Sequence, residues 1–254
     1  MRFIPSREKN VRRHFGFRCM YGLAVLCSNC SIALAVDDEG PPRLLVDTSV
    51  YPYLDRVERD TDFTMTINAN LPNNFYYSSF TNLTGTLTSN DIALDRSEQN
   101  VRWRLNEVWP VYLSFQAVFV GGSDNNYQQL GIGWQVHETP ALKAVFRRMN
   151  LIYTQTFQLK QFNSFHNSAW EFENFFLLRF PHLSQRLYLS GFVDIAFDMD
   201  LPDQFPDNPI VAEVQAGMRI WRDFYLVTEY RLNEFRMGSE HNLAIGIEYQ
   251  YSSR

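Results

Sequence analysis

Along most of this chain apolar and polar residues alternate one by one. In Phe63-Thr64-Met65-Thr66-Ile67-Asn68-Ala69-Asn70-Leu71 one face is wholly apolar and the other is Thr and Asn. Leu130, Ile132, Trp134 and Val136 alternate with Gly131, Gly133, Gln135 and His137, and Leu243, Ile245, Ile247, Tyr249 and Tyr251 alternate with Ala244, Gly246, Glu248 and Gln250. A period of two is the signature of β-strands with one apolar and one polar face. The same interruption of apolar runs excludes a bundle of membrane helices, which needs segments of about 20 apolar residues. Abundant aromatic residues, 15% of the chain, exclude disorder.

About twelve such runs can be counted, near 43–51, 62–71, 75–83, 99–107, 111–119, 127–137, 150–159, 168–180, 187–197, 210–220, 224–234 and 241–251. Most have the roughly 9 to 11 residues that a tilted strand needs to cross a bilayer. Connections after even-numbered runs are short, as in Pro72-Asn73-Asn74 and Trp221-Arg222-Asp223, whereas those after odd-numbered runs are long and polar. One even connection is longer: Thr139 to Arg148 reads as a short helix with Thr139 as its cap and Pro140 at its first position.

The N-terminus follows a different logic. Arg2, Arg7, Lys9, Arg12, Arg13 and Arg18 precede a mostly apolar stretch that closes on Ala33-Leu34-Ala35. This order of basic, apolar and small-residue regions predicts a secretory signal peptide over residues 1–35, leaving 36–254 as one mature domain. Taking six basic residues and Glu8 from totals of 23 and 28 leaves 17 basic against 27 acidic residues. All three cysteines leave with the signal, so thiolate metal sites and disulfides are excluded. The acidic balance argues against a nucleic-acid partner.

Short turns at one end, long loops at the other, an even strand count and the dyad pattern together resemble the Gram-negative outer-membrane β-barrel proteins. The resemblance implies an all-β fold, a transmembrane antiparallel β-barrel of about twelve strands, with the short helix in one periplasmic connection. It implies residence in the cell outer membrane and, as partners, outer-membrane lipid, the barrel-assembly machinery and a small solute. It also implies a passive channel or a structural barrel with a charged polar lumen. A soluble secreted β-barrel or sandwich that binds a ligand alternates in the same way. The weight of Phe, Trp, Tyr and Leu on the apolar face favours the membrane form.

If that face meets lipid, the lumen is lined by Arg102, Arg104, Glu171, Glu173, Arg179, Asp194, Glu213, Arg219, Glu229, Arg231 and Glu248. These charges read either as a salt-bridge ladder filling a narrow barrel or as rings that select solutes. Tyr51, Tyr53, Trp109, Trp170, Trp221, Phe224 and Tyr251 fall toward strand ends, where aromatic girdles form. One pair suggests catalysis: His166 and Ser168, two apart, could act as base and nucleophile in a lipid hydrolase, although no third member is evident. The five histidines are scattered without ligand-like spacing, and the sequence predicts no metal site and no cofactor.

Overall fold

The computed structural model describes residues 44–52, 54, 60–86, 92–106, 108–121, 126–162, 168–199, 201–235 and 240–253. Residues 1–35, for which a signal peptide is expected, Tyr53 and His166 lie outside the described residues. Twelve strands form one closed antiparallel barrel: β1 (Leu44–Pro52), β2 (Asp60–Asn70), β3 (Phe75–Thr86), β4 (Ile92–Arg104), β5 (Val111–Val120), β6 (Tyr127–Trp134), β7 (Leu151–Phe162), β8 (Ser168–Arg179), β9 (Leu187–Phe197), β10 (Ile210–Trp221), β11 (Phe224–Asn233) and β12 (His241–Ser253). Each strand pairs with its sequence neighbours, and β12 closes the barrel on β1 in a register that runs from Leu44 opposite Ser253 to Val50 opposite Ile247. Closure leaves no strand edge unpaired, which is what a sheet in hydrocarbon requires.

The alternation becomes an inside-out barrel. On β6, Leu130 and Ile132 are 63% and 59% exposed on the outer surface, while Tyr127 and Gln129 are each 1% exposed within. Leu226, Tyr230, Leu243, Ile245 and Ile247 continue the outer apolar surface across β11 and β12. In a soluble barrel the polarity would be reversed. A continuous apolar belt of this extent needs a non-aqueous covering. No helix among the described residues is long and apolar enough to cross a membrane, which says nothing of a β-barrel.

Local chemistry explains the short-turn end. Asn73 and Asn74 join β2 to β3 with positive φ of 61° and 63°, the conformation of a tight hairpin turn that Asn tolerates well. Arg222 and Asp223 join β10 to β11 in the same brief fashion.

Three details differ from the sequence reading. First, β4 begins at Ile92 rather than near residue 99. Its register shifts beside Asn82, where Leu83 pairs with Leu94 and Asn82 with Arg96, so Asp95 is an extra residue in the ladder. Such a bulge breaks the period of two and disguises the strand as a polar loop. Second, the helix α1 spans Lys143–Met149, behind a single 3-10 turn at Val136–Glu138. Thr139 does not cap it: the Trp134 Nε1–H donates to Thr139 Oγ1 at 2.9 Å, and Leu142 is the N-cap residue. Asn150, left-handed at φ 52°, ends the helix. Third, Tyr51 is not part of an outer girdle. It shares the inward phase of Leu45, Asp47 and Ser49 and is 5% exposed, inside the barrel. Trp109, Trp221 and Tyr251 remain outward and exposed.

Candidate functional site

The polar interior is built from inward positions on all twelve strands. Arg102, Glu171, Glu173, Asp194, Glu213, Glu229, Arg231 and Glu248 are buried there, and Arg104, Arg179 and Arg219 occupy inward register positions nearer the short-turn end with partial exposure. They form separate groups rather than one continuous ladder.

The first group lies on β2, β10 and β11. The Arg231 guanidinium lies 3.0 Å from Glu229, 3.2 Å from Glu213 and 3.8 Å from Asp62. One cation therefore serves three carboxylates. The second group surrounds Glu248 on β12. Tyr188 Oη donates to Glu248 Oε2 at 2.6 Å, and the Gln215 amide donates to Tyr188 Oη at 2.6 Å and to Glu248. Tyr188 reaches from β9 to β12 because it lies flat across Gly217 of β10. A Cβ at Gly217 would stand 2.1 Å from the tyrosine ring, so only glycine permits this path.

The third group fills the opposite half of the barrel, β4 to β8. Lys160 Nζ and Glu171 Oε1 are 2.6 Å apart, and both side chains are at most 1% exposed. Arg96 pairs with Glu98 and with the Tyr127 hydroxyl, and the Gln116 amide donates to Glu98 Oε2 at 2.6 Å. Gln129 bonds Glu171, and Lys160 and Arg96 lie 5.4 and 5.5 Å from the centroid of the Tyr127 ring. Buried charges survive where opposite charges face each other, and here each cation has its own carboxylate, while Arg96 Nη1 has no hydrogen-bond partner among the described residues.

Between these groups the lumen is asymmetric. The β4–β8 half is packed, and a crescent of lining residues along β1–β3 and β8–β12 borders a cavity of about 80 Å³. Its polar lining includes Asp47, Glu213, Glu229, Glu248 and Arg231; Tyr51, Phe80, Phe175, Tyr188 and Phe192 give it an aromatic side. The cavity touches every inward side chain of β1 from Leu45 to Tyr51. At ~3.3 Å per residue that is about 20 Å along the strand, or about 15 Å along the axis of a barrel whose strands tilt by about 40°, more than half the height of a membrane barrel's apolar band.

Sequence reading missed Arg96, Glu98, Lys160, Asp62 and the tyrosines Tyr127 and Tyr188. The bulge at Asp95 hid Arg96, and the late start assigned to β4 hid Glu98. Gln158 and Lys160 continue the polar phase of β7, so extending the alternation one residue past 159 reaches Lys160. Ser168 opens β8, and with His166 outside the described residues the pair forms no site that can be described. Among the described residues no three His, Cys, Asp or Glu side chains converge as metal ligands.

These features define a class by fold: a twelve-stranded β-barrel, apolar outside and polar within, of the kind found among bacterial outer-membrane porins. Among solved structures the chain is similar to the NanC porin, at 10% identity, covering 80% of this chain and 98% of that one with a TM-score of 0.54. It is similar to the KdgM porin at 11% identity, 82% and 99% coverage and a TM-score of 0.50. A KdgM porin in complex with disordered oligogalacturonate matches at 10% identity, with the same coverage and a TM-score of 0.51. At such identities the likeness is one of fold. No protein-family model matches the sequence, and no curated protein matches it.

Proposed function

We infer that the chain is a passive solute channel of the Gram-negative outer membrane. The observation that carries this reading is the crescent cavity, which follows β1 from one end of its inward face to the other inside a closed barrel. A channel of this type needs no catalytic residue; it needs a hydrated path whose lining sets selectivity. Residues 1–35 act as the export signal, barrel-assembly machinery inserts the chain, and lipid covers the outer belt. By the usual orientation of such barrels the short-turn end, with α1 and both chain ends of the barrel, faces the periplasm.

The charged residues divide the work. Lys160, Glu171, Arg96 and Glu98 hold the packed half closed, and Glu213, Glu229, Arg231 and Glu248 line the open half. Reconstitution in planar bilayers tests the reading through stepwise single-channel currents. Tyr188→Ala removes a ring from the cavity wall and is expected to raise conductance; a variant whose current is unchanged places the path elsewhere. The packed half also supports a second reading, a structural barrel that conducts nothing, and the same measurement separates the two.

A further inference from the structure

A second, smaller cavity, of about 50 Å³, lies at the short-turn end of β3–β7 and shares no lining residue with the crescent. Its lining holds Arg102, Arg104, Tyr76 and Tyr112, with the amides of Asn74 and Gln135, and includes no carboxylate. Arg102 is 6% exposed, and its Nε–H has no hydrogen-bond partner among the described residues. No carboxylate among the described residues lies within salt-bridge distance of it. This contrasts with Arg96, Lys160 and Arg231, each of which faces a carboxylate of its own chain. Burying a guanidinium without a counter-charge is costly, so a cavity built around one is suited to receive an anion.

The surroundings hold the guanidinium in place. The Tyr76 and Tyr112 ring centroids lie 5.9 and 5.4 Å from the Arg102 Cζ, within reach of cation–π attraction. Tyr112 is itself fixed: its hydroxyl shares a hydrogen bond of 2.7 Å with Thr156 Oγ1, and its ring occupies the space a Cβ at Gly133 would need, 2.0 Å away. Tyr76 is anchored by donating its hydroxyl to Asn68. A planar donor fork kept in one orientation matches the two oxygens of a carboxylate or phosphate.

We propose that this cavity is a binding site for a small oxyanion, a carboxylate or a phosphate, held by the Arg102 guanidinium with Arg104 as a second cation. The anion sits away from the acidic crescent, so it is a bound group and not cargo in the main path. The site does not depend on conduction. A barrel that binds the anion and carries no current keeps the site and loses the channel; one that conducts without binding does the reverse.

Calorimetric titration of the refolded full barrel in zwitterionic detergent micelles, at fixed ionic strength, tests the site with glucuronate and inorganic phosphate as separate probes. Saturable binding of at least one is expected, and which one binds identifies the group. Arg102→Gln is expected to weaken it at least about tenfold, the loss of a charge-assisted fork, and Arg104→Gln to weaken it less. Should Arg102→Gln fail to give a heat-modifiable barrel, Arg102→Lys keeps the charge without the fork and is expected to show the same direction of loss. Absence of saturable binding by both probes, or binding undiminished in the folded Arg102 variant, overturns the proposal.

Discussion

Lys160 and Glu171 lie 2.6 Å apart, out of contact with water, on neighbouring strands. Each charge is tolerable only because the other is present. Lys160→Met is therefore expected to destabilise the barrel by about 3 to 5 kcal/mol, the cost of leaving a buried carboxylate alone, and Lys160→Met with Glu171→Leu by much less. Urea unfolding in lipid vesicles, followed by the gel shift between folded and unfolded forms, measures both; equal losses in the single and double variants would contradict the pairing. Glycine carries the other residue-scale prediction. Gly217→Val must displace the Tyr188 ring and break its bond to Glu248, so it is expected to lower conductance while the barrel still forms.

At the scale of elements, the connection between β6 and β7 carries a titratable group outside the spanning strands. His137 is partly buried, and its Nδ1–H donates to the Tyr153 carbonyl 3.0 Å away. Burial pushes its pKa below the ordinary histidine value, outweighing the Tyr153 bond and nearby Glu138. Because the opened connection binds the proton more readily than the closed one, its stability is full above the usual histidine range and falls as pH drops through it. The protection of the Lys143–Met149 amides, measured against the intrinsic exchange rate at each pH, is expected to fall at acid pH, and His137→Gln to flatten that dependence. What was legible in the sequence at this scale was the alternation itself: eleven of the twelve strands begin within about three residues of where the period of two places them. The exception, β4, contains the bulge at Asp95, and a period-based reading fails where the ladder takes an extra residue. The helix was foreseen in the right connection but displaced, because Thr139 is taken by the Trp134 indole rather than by the helix N-terminus. At the site, inward charges followed from parity. Their partners did not, since Arg231 reaches Asp62 on β2 and Tyr188 reaches Glu248 on β12 across the barrel, contacts that local sequence does not encode.

For the whole molecule, the mean hydropathy of −0.28 averages an apolar outer surface with a polar interior and polar loops, which is why composition alone resembles that of a soluble protein. The interior is divided as well: a packed, ion-paired half supports an open crescent whose lining has Asp47, Glu213, Glu229 and Glu248 against a single Arg231. A path with that charge balance favours cations. In a salt gradient the reversal potential is expected to have the sign of a cation-selective pore, and Glu229→Gln with Glu248→Gln to move it toward zero. Anion selectivity would place the path outside the crescent. The most direct test of the central claim is the current through the refolded, heat-modifiable barrel in a planar bilayer: the crescent predicts discrete, ohmic single-channel steps, and a correctly folded barrel that passes no current at any voltage would contradict it.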